Sequence, residues 1–475
     1  MSEVLTPDIC VIGAGSAGLT VAAAASAFGV SVVLVEKDRM GGDCLNTGCV
    51  PSKALIAAAG HAQAMRAGER FGIKAAEPQV NFPAVMAHVR EVIGRIAPND
   101  SVERFTGLGV TVLRGAARFA DRRTVTVKDK TIRARRFVIA TGTRPAVPPI
   151  PNIEAVPYLT NESVFELKRR PNRLIVIGAG PIGLEMAQAF RRLGSEVVVL
   201  EAAKALAKDD SELSALLLER LKGEGVDIRE GVKIARAARR GKSGVRVTLD
   251  GLSGPVQVDG THLLVATGRR PELADLGLTA AGIAFDRTGI KVNSRLRTRN
   301  RRVYAIGDAA GGPQFTHWAG YQGGLVVRSI LFRFGGRVRP DILPWVTFTD
   351  PELAHVGLSE EEAFRRDRHA QILRWPFAEN DRAQTERDTH GLVKVLTNRK
   401  GRVVGADVLG RNAGELIAPY AMAIAEGLTV KSLIDTVLPY PTRSETARRA
   451  AIAFYAPKLD SPVVRRVVRL LRKLG

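Results

Sequence analysis

The chain has 475 residues, 45% of them hydrophobic and 25% charged, so it is long enough for about three globular domains with apolar cores. Its only cysteines are Cys10, Cys44 and Cys49, which excludes a secreted scaffold held together by disulfides. The net charge of +22 favours encounters with anions, although the arginines are scattered along the whole chain as a general basic background.

The start of the chain carries no targeting signal that we recognise. Residues 1–10 lack a basic stretch followed by an apolar one, so no signal peptide is expected. No run of about 18 apolar residues occurs, so no membrane-spanning helix is expected. These features predict a cytoplasmic protein.

Two segments of the chain repeat one another. Residues 9–36 and 174–201 each predict a buried apolar strand, a glycine turn, a helix and a second strand that ends in glutamate. The first glycine of the turn and this glutamate are 23 residues apart in both copies. The sequence therefore predicts a duplicated βαβ unit.

A second pair of similar segments supports the duplication. Residues 137–142 and 263–268 are both short apolar strands that end in Ala-Thr-Gly. Residues 143–157 are rich in proline, as expected of a stiff crossover between domains. We predict a first dinucleotide-binding domain over residues 1–150 and a second over residues 151–270.

The remaining sequence changes its pattern twice. Residues 271–340 return to strands and glycines, as at 303–308. From about residue 345 strands are followed by helical stretches at about 414–427 and 443–456, which predicts an α+β domain over residues 341–460.

Each repeat contains the pattern G-x-G-x-x-G between its strand and its helix. The first glycine makes a tight turn, the second lets the backbone approach a pyrophosphate, and the third lets the helix pack closely on the strand. The glycines are Gly13, Gly15 and Gly18 in the first copy and Gly178, Gly180 and Gly183 in the second.

The glutamate that ends each repeat bears on the choice of nucleotide. Glu36 and Glu201 are expected to bind the hydroxyls of an adenosine ribose. A carboxylate at Glu201 repels the 2′-phosphate of NADPH, whereas the nearby Lys204 weakens that discrimination. NADH is therefore the predicted cofactor, with NADPH as the alternative.

Two cysteines lie in the segment from Gly41 to Lys53. Pro51 and the alanine-rich run behind it predict a helix that starts near Cys49, and the helix dipole and Lys53 would stabilise a thiolate there. The alternatives are two structural thiols or a metal pair. No later cysteine exists to complete a zinc site, so no metal site is predicted.

With these motifs in this order, the chain resembles the class I pyridine nucleotide-disulfide oxidoreductases, such as dihydrolipoamide dehydrogenase, glutathione reductase and mercuric reductase. The resemblance implies an α/β fold with two Rossmann-like domains, which bind FAD and NAD(P), and an α+β C-terminal dimerisation domain. It assigns residues 1–150 and 271–340 to the FAD domain and implies a homodimer.

The same resemblance implies roles for individual residues. Cys49 would lie against the flavin, Cys44 would exchange with the substrate, and Lys53 and Glu185 would form an ion pair beside the flavin. Asp308 would hold the ribityl chain. The further cofactor-binding positions implied are Gly42, Lys53, Thr141, Gly142, Gly268 and Gly307, beside the two glycine motifs and their glutamates.

The chain departs from this family at its acid/base motif. Where dihydrolipoamide dehydrogenase has His-Pro-Thr-x-x-Glu, this sequence has Tyr440 to Glu445, with tyrosine in place of histidine. Tyrosine titrates about 3.5 units above histidine, so it is a poorer proton acceptor at neutral pH. Efficient turnover of lipoamide or glutathione is therefore not expected.

The Pro-Tyr-Pro-Thr version of the motif resembles mercuric reductase and the copper-reducing flavoproteins. Yet Cys49 is the last cysteine, so the C-terminal cysteine pair of mercuric reductase is missing. We expect a small acceptor, namely a metal ion, a quinone or another oxidant. The alternatives are a dihydrolipoamide dehydrogenase with an altered base, and for Tyr440 a role in interface packing only.

The tail over residues 461–475 has a pattern of its own. At about 100° per residue, the apolar side chains of residues 463–474 fall on one arc and the basic ones on the other. The favoured interpretation is that the apolar face packs on the protein's own surface. The alternatives are peripheral contact with an anionic membrane, at the inner face of the cell membrane, and a flavoprotein whose basic surfaces bind membrane or nucleic acid, of which nucleic acid is the less favoured.

Overall fold

The structure is a computed structural model that describes residues 3–241, 244–251, 254–459 and 461–474. The chain divides into two compact units. The first comprises residues 1–63, 77–202 and 232–338, and the second comprises residues 64–76, 203–231 and 339–475.

The strands of the described residues follow in chain order. They are β1 (Val4–Leu5), β2 (Ile9–Ile12), β3 (Val32–Glu36), β4 (Thr111–Arg114), β5 (Arg118–Phe119), β6 (Val125–Val127), β7 (Lys130–Ile132), β8 (Arg136–Ile139), β9 (Thr143–Pro145), β10 (Tyr158–Leu159), β11 (Arg173–Ile177), β12 (Glu196–Leu200), β13 (Val226–Arg229), β14 (Lys233–Arg240), β15 (Gly244–Asp250), β16 (Val256–Gly260), β17 (His262–Val265), β18 (Arg269–Pro271), β19 (Phe285–Asp286), β20 (Gly289–Ile290), β21 (Val303–Ala305), β22 (Pro344–Thr347), β23 (Glu352–Gly357), β24 (Gln371–Pro376), β25 (Leu392–Thr397) and β26 (Val403–Gly410).

The α-helices of the same residues are α1 (Ser16–Ala27), α2 (Gly42–Asn46), α3 (Cys49–Arg66), α4 (Phe82–Ile96), α5 (Val102–Gly107), α6 (Pro181–Arg192), α7 (Ser211–Gly223), α8 (Thr316–Leu331), α9 (Glu360–Arg366), α10 (Asp381–Thr385), α11 (Ala413–Leu416), α12 (Ala418–Glu426), α13 (Val430–Asp435), α14 (Glu445–Ala453), α15 (Ala456–Leu459) and α16 (Pro462–Leu471). Short 3₁₀ turns lie at Gly68–Phe71, Ala97–Asp100, Ile153–Ala155, Val164–Glu166, Gly307–Ala310, Pro340–Ile342 and Phe377–Glu379.

The first unit contains a five-stranded parallel sheet in the order β21-β8-β2-β3-β4. Val11 in the central strand lies opposite Leu34 and Val138, and every residue of β2 and β3 is buried. Such continuous apolar runs are typical of parallel strands that are covered on both faces. Helices α1 and α8 pack together on this sheet and share an apolar core with it.

A second parallel arrangement in the first unit has the strand order β10-β17-β11-β12. Ile175 in β11 lies opposite Val198 and Leu263, which repeats the arrangement around Val11. The three-stranded antiparallel sheet β14-β15-β16 contributes apolar side chains to the core on this sheet. The predicted duplication of a βαβ unit is thereby visible in the strand pairing.

The two Ala-Thr-Gly segments meet after their strands end. Strands β9 and β18 follow them directly and pair antiparallel, with Arg144 opposite Arg270 and Thr143 opposite Pro271. This pairing links the segments that follow the two sheets and brings the Arg269 side chain within hydrogen-bonding distance of Thr143. The four-part division of the chain stays a prediction.

The second unit is built on a five-stranded antiparallel sheet in the order β22-β23-β26-β25-β24. Its core includes the side chains of Phe377, Tyr420 and Phe454. On the same sheet Lys394 is 1% exposed and its ammonium lies within 3.0 Å of carboxylate oxygens of Asp210 and Glu360. A buried charge of this kind is tolerated because it is paired.

The tail differs from its favoured interpretation. Helix α16 forms as expected, but the large apolar side chains of the tail, from Val463 to Leu474, are between 39% and 78% exposed in this chain. The apolar face therefore does not pack on the chain's own surface. Within the described residues, no helix combines the length and the apolar character needed to cross a bilayer.

Candidate active site

The two sequence-predicted cysteines stand at the ends of one short loop. Cys44 lies in α2 and Cys49 is the first residue of α3, and both are free thiols in the structure. Cys49 Sγ lies 3.4 Å from the Thr316 hydroxyl, at the start of α8. The predicted helix start at Cys49 is thereby found.

The environment favours a thiolate on Cys49. The pKa of Cys49 is lowered to about 6, first by a hydrogen bond from the Cys44 thiol and then by Thr316 and the Lys53 ammonium, against the opposing effect of burial. The Asp43 carboxylate acts in the opposite direction. The same shared proton, together with burial, raises the pKa of Cys44 well above its usual range. At neutral pH the pair therefore holds one thiolate and one thiol.

An ion pair joins α3, which begins at Cys49, to α6, which follows the second glycine turn. Lys53 Nζ lies 2.8 Å from Glu185 Oε2, as the resemblance implied. Glu185 is buried on α6 with a 5% exposed side chain, while the Lys53 side chain is 37% exposed. A buried carboxylate needs such a partner, so the pair fixes where the cation lies.

The first glycine turn has the geometry of a dinucleotide cradle. Gly13 has φ +103°, and an added Cβ on Gly18 would lie 1.9 Å from the Gly13 carbonyl oxygen. By contrast, the nearest atom to an added Cβ on Gly15 is Gly42 Cα at 3.8 Å. The turn thus packs tightly against the protein at its first and third glycines and leaves room at its second.

The carboxylate that ends β3 is part of the same turn. Glu36 is buried, and its Oε2 accepts a hydrogen bond of 2.6 Å from the Ala14 amide. This bond fixes the carboxylate beside the turn, where a ribose hydroxyl would meet it.

The second glycine turn repeats the first closely. Gly178 has φ +104°, an added Cβ on Gly183 would lie 1.9 Å from the Gly178 carbonyl oxygen, and nothing lies within 4 Å of one on Gly180. The Ala179 amide donates to Glu201 Oε2 at 2.8 Å. Both turns therefore offer the same open face at the start of a helix.

Asp308 lies where the first sheet ends. It follows β21 in the 3₁₀ turn Gly307–Ala310, and the Thr143 hydroxyl donates to its Oδ2 at 2.7 Å. Burial raises the pKa of Asp308, and the bond from Thr143 and the nearby Arg269 lower it.

The remaining predicted cofactor positions lie close to these turns. The Thr141 hydroxyl donates to the Glu272 carbonyl oxygen at 2.8 Å. Gly142 and Gly268 have φ +68° and +125°, with no atom within 4 Å of an added Cβ. Gly42 has φ +59°, and an added Cβ there would lie 2.8 Å from Gly15 Cα, so α2 approaches the first glycine turn closely.

Tyr440 and Glu445 lie in the second unit. The Tyr440 side chain is 70% exposed, and its hydroxyl donates to Asp381 Oδ2 at 2.9 Å. This hydrogen bond raises the pKa of Tyr440. Glu445 is the first residue of α14. Tyr440 is therefore an even poorer base at neutral pH than an ordinary tyrosine.

Two residues of this site were not predicted from the sequence. Thr316 is about 270 residues from Cys49 in the chain and belongs to no motif. Arg269 follows the Ala-Thr-Gly of the second repeat directly and bonds to Thr143. Its place after a duplicated motif was a signal that it lies near the crossover.

Known proteins match the chain over most of its length. The family described as "Pyridine nucleotide-disulphide oxidoreductase" matches residues 7–323, and its dimerisation domain matches residues 343–451. The mercuric reductase of Streptomyces lividans is 37% identical over 455 residues, which is 94% of this chain and 96% of that protein. The dihydrolipoyl dehydrogenase of Thermus scotoductus is 36% identical over 469 residues, with coverages of 95% and 98%.

Two solved structures are similar throughout. The Cu(II) complex of the HOCl-induced flavoprotein disulfide reductase RclA from Escherichia coli has a TM-score of 0.83 and 29% identity, covering 93% of this chain and 98% of that one. LpdA from Mycobacterium tuberculosis has a TM-score of 0.86 and 27% identity, with coverages of 94% and 99%.

Proposed function

Because the chain belongs to the pyridine nucleotide-disulphide oxidoreductases, we propose that its Cys44–Cys49 pair delivers electrons to a small acceptor that is not a dithiol. The acceptor is a metal ion, a quinone or another small oxidant. The observation that carries this proposal is the reactive Cys49 thiolate in a chain whose acid/base position is Tyr440.

The reaction class itself follows from the family. The chain is an FAD-dependent oxidoreductase that passes electrons from NADH through FAD to a disulfide. The dimerisation domain over residues 343–451 supports a homodimer.

The residues present fit both dinucleotides. The open faces of Gly15 and Gly180 leave room for a pyrophosphate, and Glu36 and Glu201, each bonded to an amide of its turn, would accept hydrogen bonds from ribose hydroxyls. Asp308 would hold the ribityl chain of FAD. Held by these residues, FAD would supply the acceptance of a hydride from NADH and the transfer of two electrons to the disulfide.

The cysteines complete the electron balance. NADH supplies two electrons and one proton, which leaves Cys49 as a thiolate and Cys44 as a thiol at neutral pH, consistent with their opposite pKa shifts. Re-forming the disulfide gives the two electrons to the acceptor, either to one Hg(II) or one to each of two Cu(II) ions, and the Cys44 proton leaves to solvent. Lys53, paired with Glu185, keeps a positive charge beside the thiolate.

Tyr440 argues against a dithiol as the partner. Oxidising a dithiol requires a base to deprotonate it, and the pKa of Tyr440 is raised above its usual range by the bond to Asp381. A metal ion takes electrons from a thiolate without any deprotonation of the acceptor. A quinone takes up two protons, one from Cys44 and one from solvent, so it also needs no base to deprotonate it. The Cu(II) complex of the similar RclA protein supports copper(II) as the first acceptor to test.

The test compares acceptors at neutral pH with NADH as the donor. We expect turnover with copper(II), mercury(II) or a quinone to exceed lipoamide turnover by at least about tenfold, and Tyr440→His to raise lipoamide turnover selectively. Tyr440→Phe is the matched control, because it removes the hydroxyl without adding a base. Brisk lipoamide turnover by the unmodified enzyme would contradict the proposal and favour a dihydrolipoamide dehydrogenase.

A second proposal concerns the tail. The exposed apolar face of α16 and the opposite face, which carries Arg465, Arg466, Arg469, Arg472 and Lys473, fit the surface of an anionic membrane. Residues 461–474 contain no acidic side chain that would oppose such contact. The basic side chains alone would also suit nucleic acid, but the apolar face would not.

Sedimentation with phosphatidylglycerol vesicles tests the tail. We expect binding that is lost on deletion of residues 461–475 and in Leu470→Glu, which keeps every basic side chain. Phosphatidylcholine vesicles serve as the control for charge. Undiminished vesicle binding by Leu470→Glu, or a tighter and salt-dependent binding to DNA, would reject the membrane in favour of simple charge attraction.

A further inference from the structure

The Arg269 side chain is nearly buried and holds several groups of the first unit together. It is 10% exposed and begins β18, directly after Gly268. Its Nε donates to the Thr143 hydroxyl at 2.8 Å and its Nη2 to the Thr143 carbonyl oxygen at 3.0 Å. Its Nη1 donates to Asn161 Oδ1 at 3.0 Å, and Nη2 lies 3.2 Å from Asp43 Oδ2.

The Asp43 carboxylate is tied in turn to the loop between the two cysteines. Its Oδ1 accepts hydrogen bonds from the Thr47 hydroxyl at 2.6 Å and from Asn161 Nδ2 at 3.0 Å. Asn161 also donates to the Thr47 carbonyl oxygen at 3.2 Å. The planar Arg269 guanidinium thus holds the Asp43 carboxylate in place, and Asp43 in turn holds the loop between Cys44 and Cys49.

The other end of the network reaches Asp308. The Thr143 hydroxyl accepts a hydrogen bond from Arg269 Nε and donates one to Asp308 Oδ2 at 2.7 Å. One arginine therefore connects the predicted ribityl-binding carboxylate with the loop that carries Cys44 and Cys49.

We propose that Arg269 is a positioning residue of the redox centre, which neutralises Asp43 and holds the Cys44–Cys49 loop against strands β9 and β18. The inference rests on the proposed function, because it concerns the same cysteine pair. It adds a role for Arg269 and Asp43 that does not depend on which acceptor the enzyme uses.

The charges around Cys49 give this role a measurable sign. The groups that face Cys49 are Cys44, Thr316, Lys53 and Asp43. Asp43 opposes a thiolate on Cys49, and Arg269 offsets that charge because it lies against the same carboxylate. Loss of Arg269 leaves the carboxylate unpaired, whereas loss of the Asp43 charge removes the opposing charge.

The two single variants are therefore expected to move the pKa of Cys49 in opposite directions. In Arg269→Gln it should rise and in Asp43→Asn it should fall, each by less than about one pH unit, because Asp43 has the weakest influence on Cys49 among the groups that face it. If the Arg269–Asp43 ion pair only held the loop in position, removing either partner would shift the pKa of Cys49 in the same direction. Arg269→Lys keeps the charge but not the planar fork, so it separates charge from position.

The measurement is a pH titration of the two-electron-reduced holoenzyme, followed by the long-wavelength absorbance of a thiolate beside oxidised flavin. Arg270→Gln is the matched control, because it makes the same charge change at an exposed neighbour on the same strand and should leave the titration unchanged. Shifts of the same sign in Arg269→Gln and Asp43→Asn, or an equal shift in Arg270→Gln, would overturn the inference. Absence of the band in the unmodified enzyme would instead count against the assignment of the cysteine pair.

Discussion

Lys53 Nζ and Glu185 Oε2 lie 2.8 Å apart and join the helix that starts at Cys49 to the helix that follows the second glycine turn. The pair connects the predicted sites of the disulfide and of NADH within the first unit. Since the carboxylate is buried and the ammonium is partly exposed, the lysine is the member that can be exchanged with less damage to the fold.

Replacing Lys53 should slow the reduction of the flavin and make the Cys49 thiolate less stable. In Lys53→Met the Cys49 pKa is expected to rise, because the ammonium lowers it, and flavin reduction by NADH should slow by at least about tenfold. Stopped-flow reduction of the bound flavin measures the rate. Lys53→Arg keeps the charge and should retain most of the rate of flavin reduction. Equal rates for Lys53→Met and Lys53→Arg would show that the charge does not determine this rate.

The two cysteines should be distinguishable by substitution. In Cys44→Ser the remaining Cys49 thiolate should give a permanent long-wavelength absorbance with oxidised flavin, and in Cys49→Ser that absorbance should be absent. Both variants should lose at least about 99% of acceptor reduction, since neither can form the disulfide. Cys10→Ser is the control, because Cys10 is buried away from the pair. The reverse assignment of the absorbance would exchange the roles of Cys44 and Cys49.

The thiolate on Cys49 should titrate below neutral pH. Its pKa is lowered from 9.0 to about 6, so the thiolate is fully present well above pH 6 and is lost as the pH falls through that value. The long-wavelength absorbance of the reduced enzyme, followed from about pH 10 downward, should therefore halve near pH 6. A midpoint above pH 8 would mean that the hydrogen bond from Cys44 does not stabilise the thiolate.

The second glycine turn offers a pair of matched alanine substitutions. Gly180→Ala adds a Cβ with no protein atom within 4 Å and with a φ of −78°, so the fold should persist while the KM for NADH rises by about tenfold. Gly183→Ala adds a Cβ 1.9 Å from the Gly178 carbonyl oxygen, so its melting temperature should fall as well. Thermal unfolding and NADH kinetics on both variants check this. An unchanged KM in Gly180→Ala would mean that the nucleotide does not approach this backbone.

Local patterns were sufficient to predict the two glycine turns and the glutamates beside them. The positions of Gly13, Gly178, Glu36 and Glu201 follow from a strand, a turn and a helix whose spacing is fixed by backbone geometry. The strand pairing and the bonds from Ala14 and Ala179 confirm that the two repeats fold alike. Short-range geometry can be predicted from a sequence because it depends on neighbouring residues only.

Contacts between distant segments were not predictable in the same way. Thr316 contacts Cys49 where α8, which packs against α1, begins, and Arg269 contacts Asp43 from β18, which pairs with β9. Neither contact leaves a periodic signal. The tail shows the opposite limit, since its amphipathic pattern predicted the helix α16 but not whether the apolar face would be covered.

The near identity of the two glycine turns has a consequence for inhibitors. Gly13 and Gly178 differ by one degree in φ, and Gly18 and Gly183 make the same close approach. The predicted contacts of both turns are to the adenosine diphosphate half of the cofactor, which is the same in FAD and NADH. A compound that imitates only this half has no means of choosing between them, so selectivity must come from groups that reach the flavin or the nicotinamide end.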